Sequence, residues 1–184
     1  MFKKMVLGHV NLFFGSESYR LGEAMVDPGD VWAFEGVRVV LLTHAHFDHI
    51  YGLNDLLRVS PEARVYTNEY GREMLLDARK NMSLYHETPF VFEFPERVVV
   101  VEDGDIVDLD NGRSAKAVFT PGHNPSCITW VTDEVVFTGD AYIPGVKTVV
   151  NLPGGNKEQA KESERMIKEL SIGRRILPGH PASE

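Results

Sequence analysis

The sequence predicts an α/β protein made of two strand-rich halves with helices between them. Three observations carry that reading. Short apolar runs of strand length recur along the chain, bounded by turn residues. Three other segments keep apolar residues at helical spacing. Several β-type runs end in a Gly followed at once by His or Asp, which places polar side chains where a rigid sheet stops.

Taken in order, residues 6–14 and 23–26 read as strands, and 37–42 as a buried β run. Residues 48–58 read as the first helix, because Leu53, Leu56 and Leu57 form one stripe and Ser60-Pro61 ends it. Residues 65–66 form a short strand. A second helix spans 68–80, with Asn68 as its cap and Gly71 a weakness near its start. Residues 81–97 are irregular and aromatic. Tyr85, Phe90, Phe92 and Phe94, with Phe47, either wall an apolar pocket or fill the core. Strands follow at 98–101, 105–109 and 114–119, the last two joined by the hairpin signal Asp110-Asn111-Gly112. Residues 128–131 and 135–137 make another hairpin through Thr132-Asp133-Glu134. A charged helix at 156–170 turns Ala160, Met166, Ile167 and Leu170 inward, and 174–177 is the last strand. No repeat, low-complexity tract or linker divides the chain, so it reads as one domain over 1–184.

Composition narrows the function. With 43% hydrophobic and 25% charged residues, the chain has the make-up of a soluble globular domain. A net charge of -8 argues against a broad nucleic-acid surface. Cys127 is the only cysteine, so no intramolecular disulfide forms. It reads as a small buried hydrophobe at the start of a strand rather than as a metal ligand. The opening Met1-Phe2-Lys3-Lys4-Met5-Val6-Leu7 is charged and then apolar. Gly8, His9 and Asn11 interrupt it, so it does not read as a signal peptide. No run has the length of a membrane span. A cytoplasmic location is the resulting expectation.

The chemistry is concentrated in Thr43-His44-Ala45-His46-Phe47-Asp48-His49. Neutral imidazole is the commonest protein metal ligand, and carboxylate is its usual companion around zinc. Three further motifs repeat the theme: Thr120-Pro121-Gly122-His123, Thr138-Gly139-Asp140 and Leu177-Pro178-Gly179-His180. Five of the seven histidines lie in these motifs, and His9 and His86 read as surface or structural. No G-x-S-x-G elbow offers a competing serine nucleophile.

H-x-H-x-D-H, then a His after Pro-Gly, an Asp after Gly and a final Gly-His together resemble the metallo-β-lactamase superfamily. The match runs from Asp27-Pro28-Gly29 to His180. The resemblance implies a four-layer αββα sandwich and a two-metal site. His44, His46 and His123 would hold one ion. Asp48, His49 and His180 would hold the other, and Asp140 would bridge them. Zinc is the expected metal, with iron and manganese as alternatives. Asp27 would support the metal loop from behind.

Asp140 stands where a Cys would mark one antibiotic-hydrolysing branch, which points to glyoxalase II-like, lactonase-like and related hydrolases. His46 stands where the flavodiiron branch carries Glu. The sequence extends four residues beyond His180, so the expectation is a hydrolase without the C-terminal helical domain of glyoxalase II. Loops of the core or a second subunit would then grip a small-molecule substrate, which favours a homodimer. The expected reaction is hydrolysis of a thioester or lactone. Asp48 would orient the attacking water, and Tyr142 is a candidate donor to the substrate oxygen. The competing readings are a persulfide dioxygenase-like enzyme with one iron, a phosphodiesterase or ribonuclease of the same fold, and a binding protein without catalysis.

Overall fold

The structure is a computed structural model and describes residues 6–12 and 14–182. Its strands form two sheets. The first contains β1 (Leu7–Val10), β2 (Glu17–Leu21), β3 (Ala24–Val26), β4 (Val39–Leu41), β5 (Arg64–Thr67) and β6 (Val98–Val100), hydrogen-bonded in that order. The second runs β11 (Arg175–Pro178), β10 (Val135–Gly139), β9 (Ile128–Val131), β8 (Arg113–Phe119), β7 (Ile106–Asp110).

Side-chain alternation separates the layers. On β3 and β4, Ala24, Val26, Val39 and Leu41 face the core between the sheets and meet Ala117, Ile128, Trp130 and Phe137 of the second sheet. Met25, Val40 and Leu42 join the opposite cluster with Leu53, Leu56, Leu57, Met74 and Leu75. Those residues belong to the helical layer of α1 (Phe47–Ile50), α2 (Leu53–Val59) and α3 (Glu69–Leu75). The fourth layer is α4 (Lys157–Leu170), whose Ile167 packs on Cys127 and Ala141. This is the expected αββα sandwich. Trp130 Nε1 donates to the Leu42 carbonyl at 2.9 Å, and Ile128 N to the Thr43 carbonyl at 2.7 Å, which ties the sheets together at the start of the His-rich run.

Local chemistry explains most boundaries. Asn68 caps α3 by accepting from Gly71 N at 2.9 Å, and Asn156 caps α4 by accepting from Glu158 N and Gln159 N at 3.0 Å. Asn111 (φ 48°) and Gly112 (φ 74°) take the left-handed conformations that the tight β7–β8 turn requires.

Several expectations need correction. The helix over 48–58 is two helices. Gly52 N donates to the Pro28 carbonyl at 2.8 Å, so the chain is drawn toward the 27–30 loop between α1 and α2. The helix over 68–80 stops at Leu75, after which turns run to Asn81. β2 was not expected at all. The strand over 6–14 is β1 at Leu7–Val10, and Phe13 of that span lies outside the described residues. The aromatic segment divides: Phe90 and Phe92 are buried in the helix-side core, whereas Tyr85 is 92% exposed. Among the described residues, no helix is long and apolar enough to cross a membrane.

Leu41→Ala, in the fully buried inter-sheet core, should destabilise the protein by about 2–5 kcal/mol in denaturant unfolding. Ile106→Ala, at a 71% exposed edge position, should change stability by less than about 0.5 kcal/mol.

Candidate metal centre

The loops after β3, β4, β8, β10 and β11 all leave the C-terminal ends of their strands and meet at one end of the sandwich. They carry Asp27, residues 43–49, His123, Asp140 and His180. His46 is the last extended residue before α1 (φ -71°, ψ 149°), so Asp48 and His49 fall in the single turn that follows. A Cβ added to Gly179 would strike Asp140 Oδ1 and lie 2.9 Å from His49 Cε1. Only glycine lets β11 deliver His180 past those two side chains.

The side chains sort into two triads. Donor atoms of His44, His46 and His123 lie within 4.8 Å of one another, as do those of Asp48, His49 and His180. Asp140 joins them. Its Oδ2 is 3.7 Å from His123 Nε2 and 3.5 Å from His180 Nε2, and its Oδ1 is 3.6 Å from His49 Nε2. Asp48 Oδ2 is 3.2 Å from His180 Nε2 and 3.5 Å from His49 Nε2. Asp27, His44 and His49 form a third group, but Asp27 is committed elsewhere. It accepts from Thr43 N at 2.7 Å and Thr43 Oγ1 at 2.5 Å, and its Oδ2 is 3.1 Å from His49 Nδ1.

The residues fit cations. Ligand atoms about 2.1 Å from a tetrahedral ion stand about 3.4 Å apart, close to the separations seen here. His44 Nε2, His49 Nε2 and Asp140 Oδ1 are buried without a hydrogen-bond partner. Such atoms are costly unless something positive or protic meets them. Most imidazoles are also anchored through the ring nitrogen that faces away. His123 Nδ1 bonds the Val149 carbonyl at 2.8 Å, His180 Nδ1 the Gly15 carbonyl at 3.2 Å, and His49 Nδ1 the Asp27 carboxylate.

The electrostatics agree. Burial pushes His49 down, but Asp48, the hydrogen bond to Asp27 and Asp140 outweigh it and raise its imidazole to about 9. The same balance, with Asp140 and Asp48 as partners, raises His180 to about 10. Burial and the neighbouring His123 lower His46 to about 4. Burial favours a neutral Asp48, yet His49 and His180 hold its carboxyl well below the usual range. The carboxylates thus demand positive charge at one triad, while at the other burial favours neutral His44 and His46, ready to ligate.

Sequence reasoning named every member of both triads. It missed the supports. Ser16 Oγ donates to the Asp48 carbonyl at 2.6 Å, and Ser18 Oγ to the Asp27 carbonyl at 2.6 Å. Asn124 Nδ2 lies 3.3 Å from His46 Nε2, and Asn124 Oδ1 accepts from Ser126 N and Oγ. The only local signal was that Asn124 follows His123 directly. Tyr142 is the candidate donor to the substrate oxygen. Its ring packs on the Cys127, Ala141 and Ile167 cluster with Lys168 Nζ 5.5 Å from its centroid. Among the described residues its hydroxyl makes no hydrogen bond, and the ring contacts are those of a packing side chain. Cys127 is buried in that cluster, and burial pushes its thiol up. His9 stacks on Trp32 at 5.0 Å, and His86 packs on Phe47 at 4.1 Å.

The sequence profile of the metallo-beta-lactamase superfamily matches residues 32–180, and the chain belongs to that superfamily. It is 34% identical over 146 residues to a probable metallo-hydrolase, YqgX, of Bacillus subtilis, across 77% of this chain and 67% of that protein. It is 33% identical over 149 residues to an atrochrysone carboxyl ACP thioesterase of Aspergillus fumigatus, across 79% of this chain but 39% of that protein. The chain therefore spans only part of the length of these relatives. Its fold matches the BLEG-1 B3 metallo-beta-lactamase with a TM-score of 0.81 at 21% identity, covering 96% of this chain and 91% of that one.

Asp27→Asn keeps the shape of the support but removes its charge. It should weaken zinc retention at the Asp48, His49 and His180 triad by about 10- to 100-fold in a chelator competition; unchanged retention would show that Asp27 does not tune His49. Cys127→Ala should leave metal content as it was, and loss of one equivalent by elemental analysis would contradict the ligand set.

Proposed function

We propose that this protein is a metal-dependent hydrolase that uses a dinuclear site to cleave a small ester-type substrate, a thioester or a lactone. The observation that supports it most is the meeting of the two donor triads at one carboxylate, Asp140, within 3.7 Å of His123 on one side and of His49 and His180 on the other. In this reading His44, His46 and His123 would hold one ion, Asp48, His49 and His180 would hold the second, and Asp140 would be available to both. Zinc is the proposed metal; iron and manganese accept the same donors. The name of each relative, one a thioesterase and one a probable metallo-hydrolase, is consistent with it.

Two divalent cations there would bring a water's pKa toward neutrality and polarise an acyl oxygen, supplying nucleophile and electrophile together. The chain's own residues do the rest. Asp48 stays ionised and is a weak base, so it accepts a hydrogen bond from the attacking water and fixes its direction rather than taking its proton. Ser16 holds the Asp48 backbone, and His180 Nε2, 3.2 Å from the Asp48 carboxylate, would share the second ion with it. Asp27 and Thr43 keep the loop that carries four of the donors from relaxing toward solvent. Beside the first triad a small groove lined by His123, Asp140, Ile143, Val146, Lys147 and Val149 gives the substrate an approach.

Zinc-loaded protein should hydrolyse simple acyl thioesters or lactones faster than a nitrophenyl phosphodiester. Asp140→Ala should bind one equivalent of zinc or less and lose at least about a hundredfold in turnover. Two retained equivalents with near-normal turnover would remove Asp140 from the bridging role, and a preference for the phosphodiester would replace acyl transfer by phosphoryl transfer.

A further inference from the structure

Two of the three imidazoles in the first triad turn their outward nitrogen to an acceptor. His123 Nδ1 meets the Val149 carbonyl at 2.8 Å. His44 Nδ1 lies 3.3 Å from Thr43 Oγ1, whose own proton goes to Asp27 Oδ2. Contacts of that kind keep the ring's proton on the outside and leave Nε2 with a lone pair for the site. His46 is the exception. Its outward nitrogen is Nε2, and the atom 3.3 Å from it is Asn124 Nδ2. An amide nitrogen has two hydrogens to give and accepts none.

The neighbouring bonds fix the direction of that amide. Asn124 Oδ1 accepts from Ser126 N at 2.9 Å and from Ser126 Oγ at 2.8 Å. A backbone N–H only donates, so the oxygen faces Ser126 and the NH2 group faces His46. Ser126 is held in turn, because its Oγ accepts from Ala45 N at 3.2 Å. Asn124 is 1% exposed, so solvent offers His46 no other acceptor on that side.

Without an ion between them, the bonds of these rings run in one direction. Asn124 Nδ2 donates to His46 Nε2, His46 Nδ1 to His123 Nε2 at 3.1 Å, and His123 Nδ1 to the Val149 carbonyl. The proton on His46 Nδ1 then points into the triad. A cation among His44, His46 and His123 needs the Nδ1 lone pair instead. The ring's proton must move to Nε2, where it opposes the Asn124 NH2 group. Resting on the metal-site reading above, we propose that Asn124 is a positioning residue that holds His46 in the tautomer protonated on Nδ1, and so weakens the grip of the first triad on its ion. The second triad has no such opponent. His49 Nδ1 faces the Asp27 carboxylate, and His180 Nδ1 faces the Gly15 carbonyl.

Long-range proton–nitrogen-15 correlation spectra of chelator-treated protein read the tautomer without any turnover. The His46 signals are those lost in His46→Gln, and they should show the proton on Nδ1. Asn124→Asp keeps an acceptor for Ser126 and turns a second oxygen toward His46, so there the proton should move to Nε2. Zinc affinity is measured by chelator competition, the first-triad step being the one lost in His123→Ala. Asn124→Ala removes the opposing donor and adds no charge. It should bind zinc at that step about two- to tenfold more tightly, and Asn124→Asp at least as tightly as that. A His46 protonated on Nε2 in the unaltered protein would overturn the proposal. First-triad binding left unchanged or weakened by Asn124→Ala, in a protein of native fold, would overturn it as well. Should Asn124→Ala not fold, the spectrum of the unaltered protein still decides. The expected tautomer without thioester or lactone turnover would keep the role of Asn124 and sink the hydrolase reading. Turnover with His46 protonated on Nε2 would do the reverse.

Discussion

Asp48 and Asp140 are packed with five imidazoles into one largely buried cluster, and the need to neutralise that charge constrains everything near it. An isolated carboxylate in an interior strongly favours its neutral form. Here His49 and His180 are pushed upward and Asp48 downward, each group holding its neighbours in the charged state. A pair of cations would satisfy the same demand and would also meet the open donor atoms of His44, His49 and Asp140. Stability and function share one electrostatic requirement at this end of the sandwich.

The fold meets that requirement by holding the donors on rigid strand ends. Two sheets share a core of Leu41, Ile128, Trp130 and Phe137, so loops from both are fixed relative to each other. Asp27 then does for the loop what the core does for the sheets. It sits at the end of β3 with φ 48° and takes hydrogen bonds from Thr43 while its carboxylate meets His49. β2 adds Ser16 and Ser18, whose hydroxyls hold the backbones of Asp48 and Asp27.

The donors were legible in the sequence because their geometry is local. His44, His46, Asp48 and His49 share one short run, and His123, Asp140 and His180 each announce themselves after a glycine. Their supports were not legible because they act across the fold. Residues 17–21, Glu-Ser-Tyr-Arg-Leu, have no apolar run, and β2 exists because β1 and β3 flank it. The break between α1 and α2 has the same origin, since the Pro28 carbonyl that captures Gly52 is remote in sequence. Aromatic composition alone could not separate Phe90 and Phe92, which fill the core, from the half-buried Phe47 and His86, which pack on each other. For Tyr142, proximity to Asp140 in the chain says nothing about which way the side chain turns; its ring packs beside Ile167 and Lys168 of α4.

The central claim is that two ions share these seven side chains through one carboxylate. Anomalous scattering from crystals of zinc-loaded protein tests it most directly. The account predicts two peaks about 3.5–4 Å apart, one among His44, His46 and His123 and one among Asp48, His49 and His180, with Asp140 touching both. A single peak at full occupancy in saturating zinc, or a peak whose ligands exclude Asp140, would contradict it.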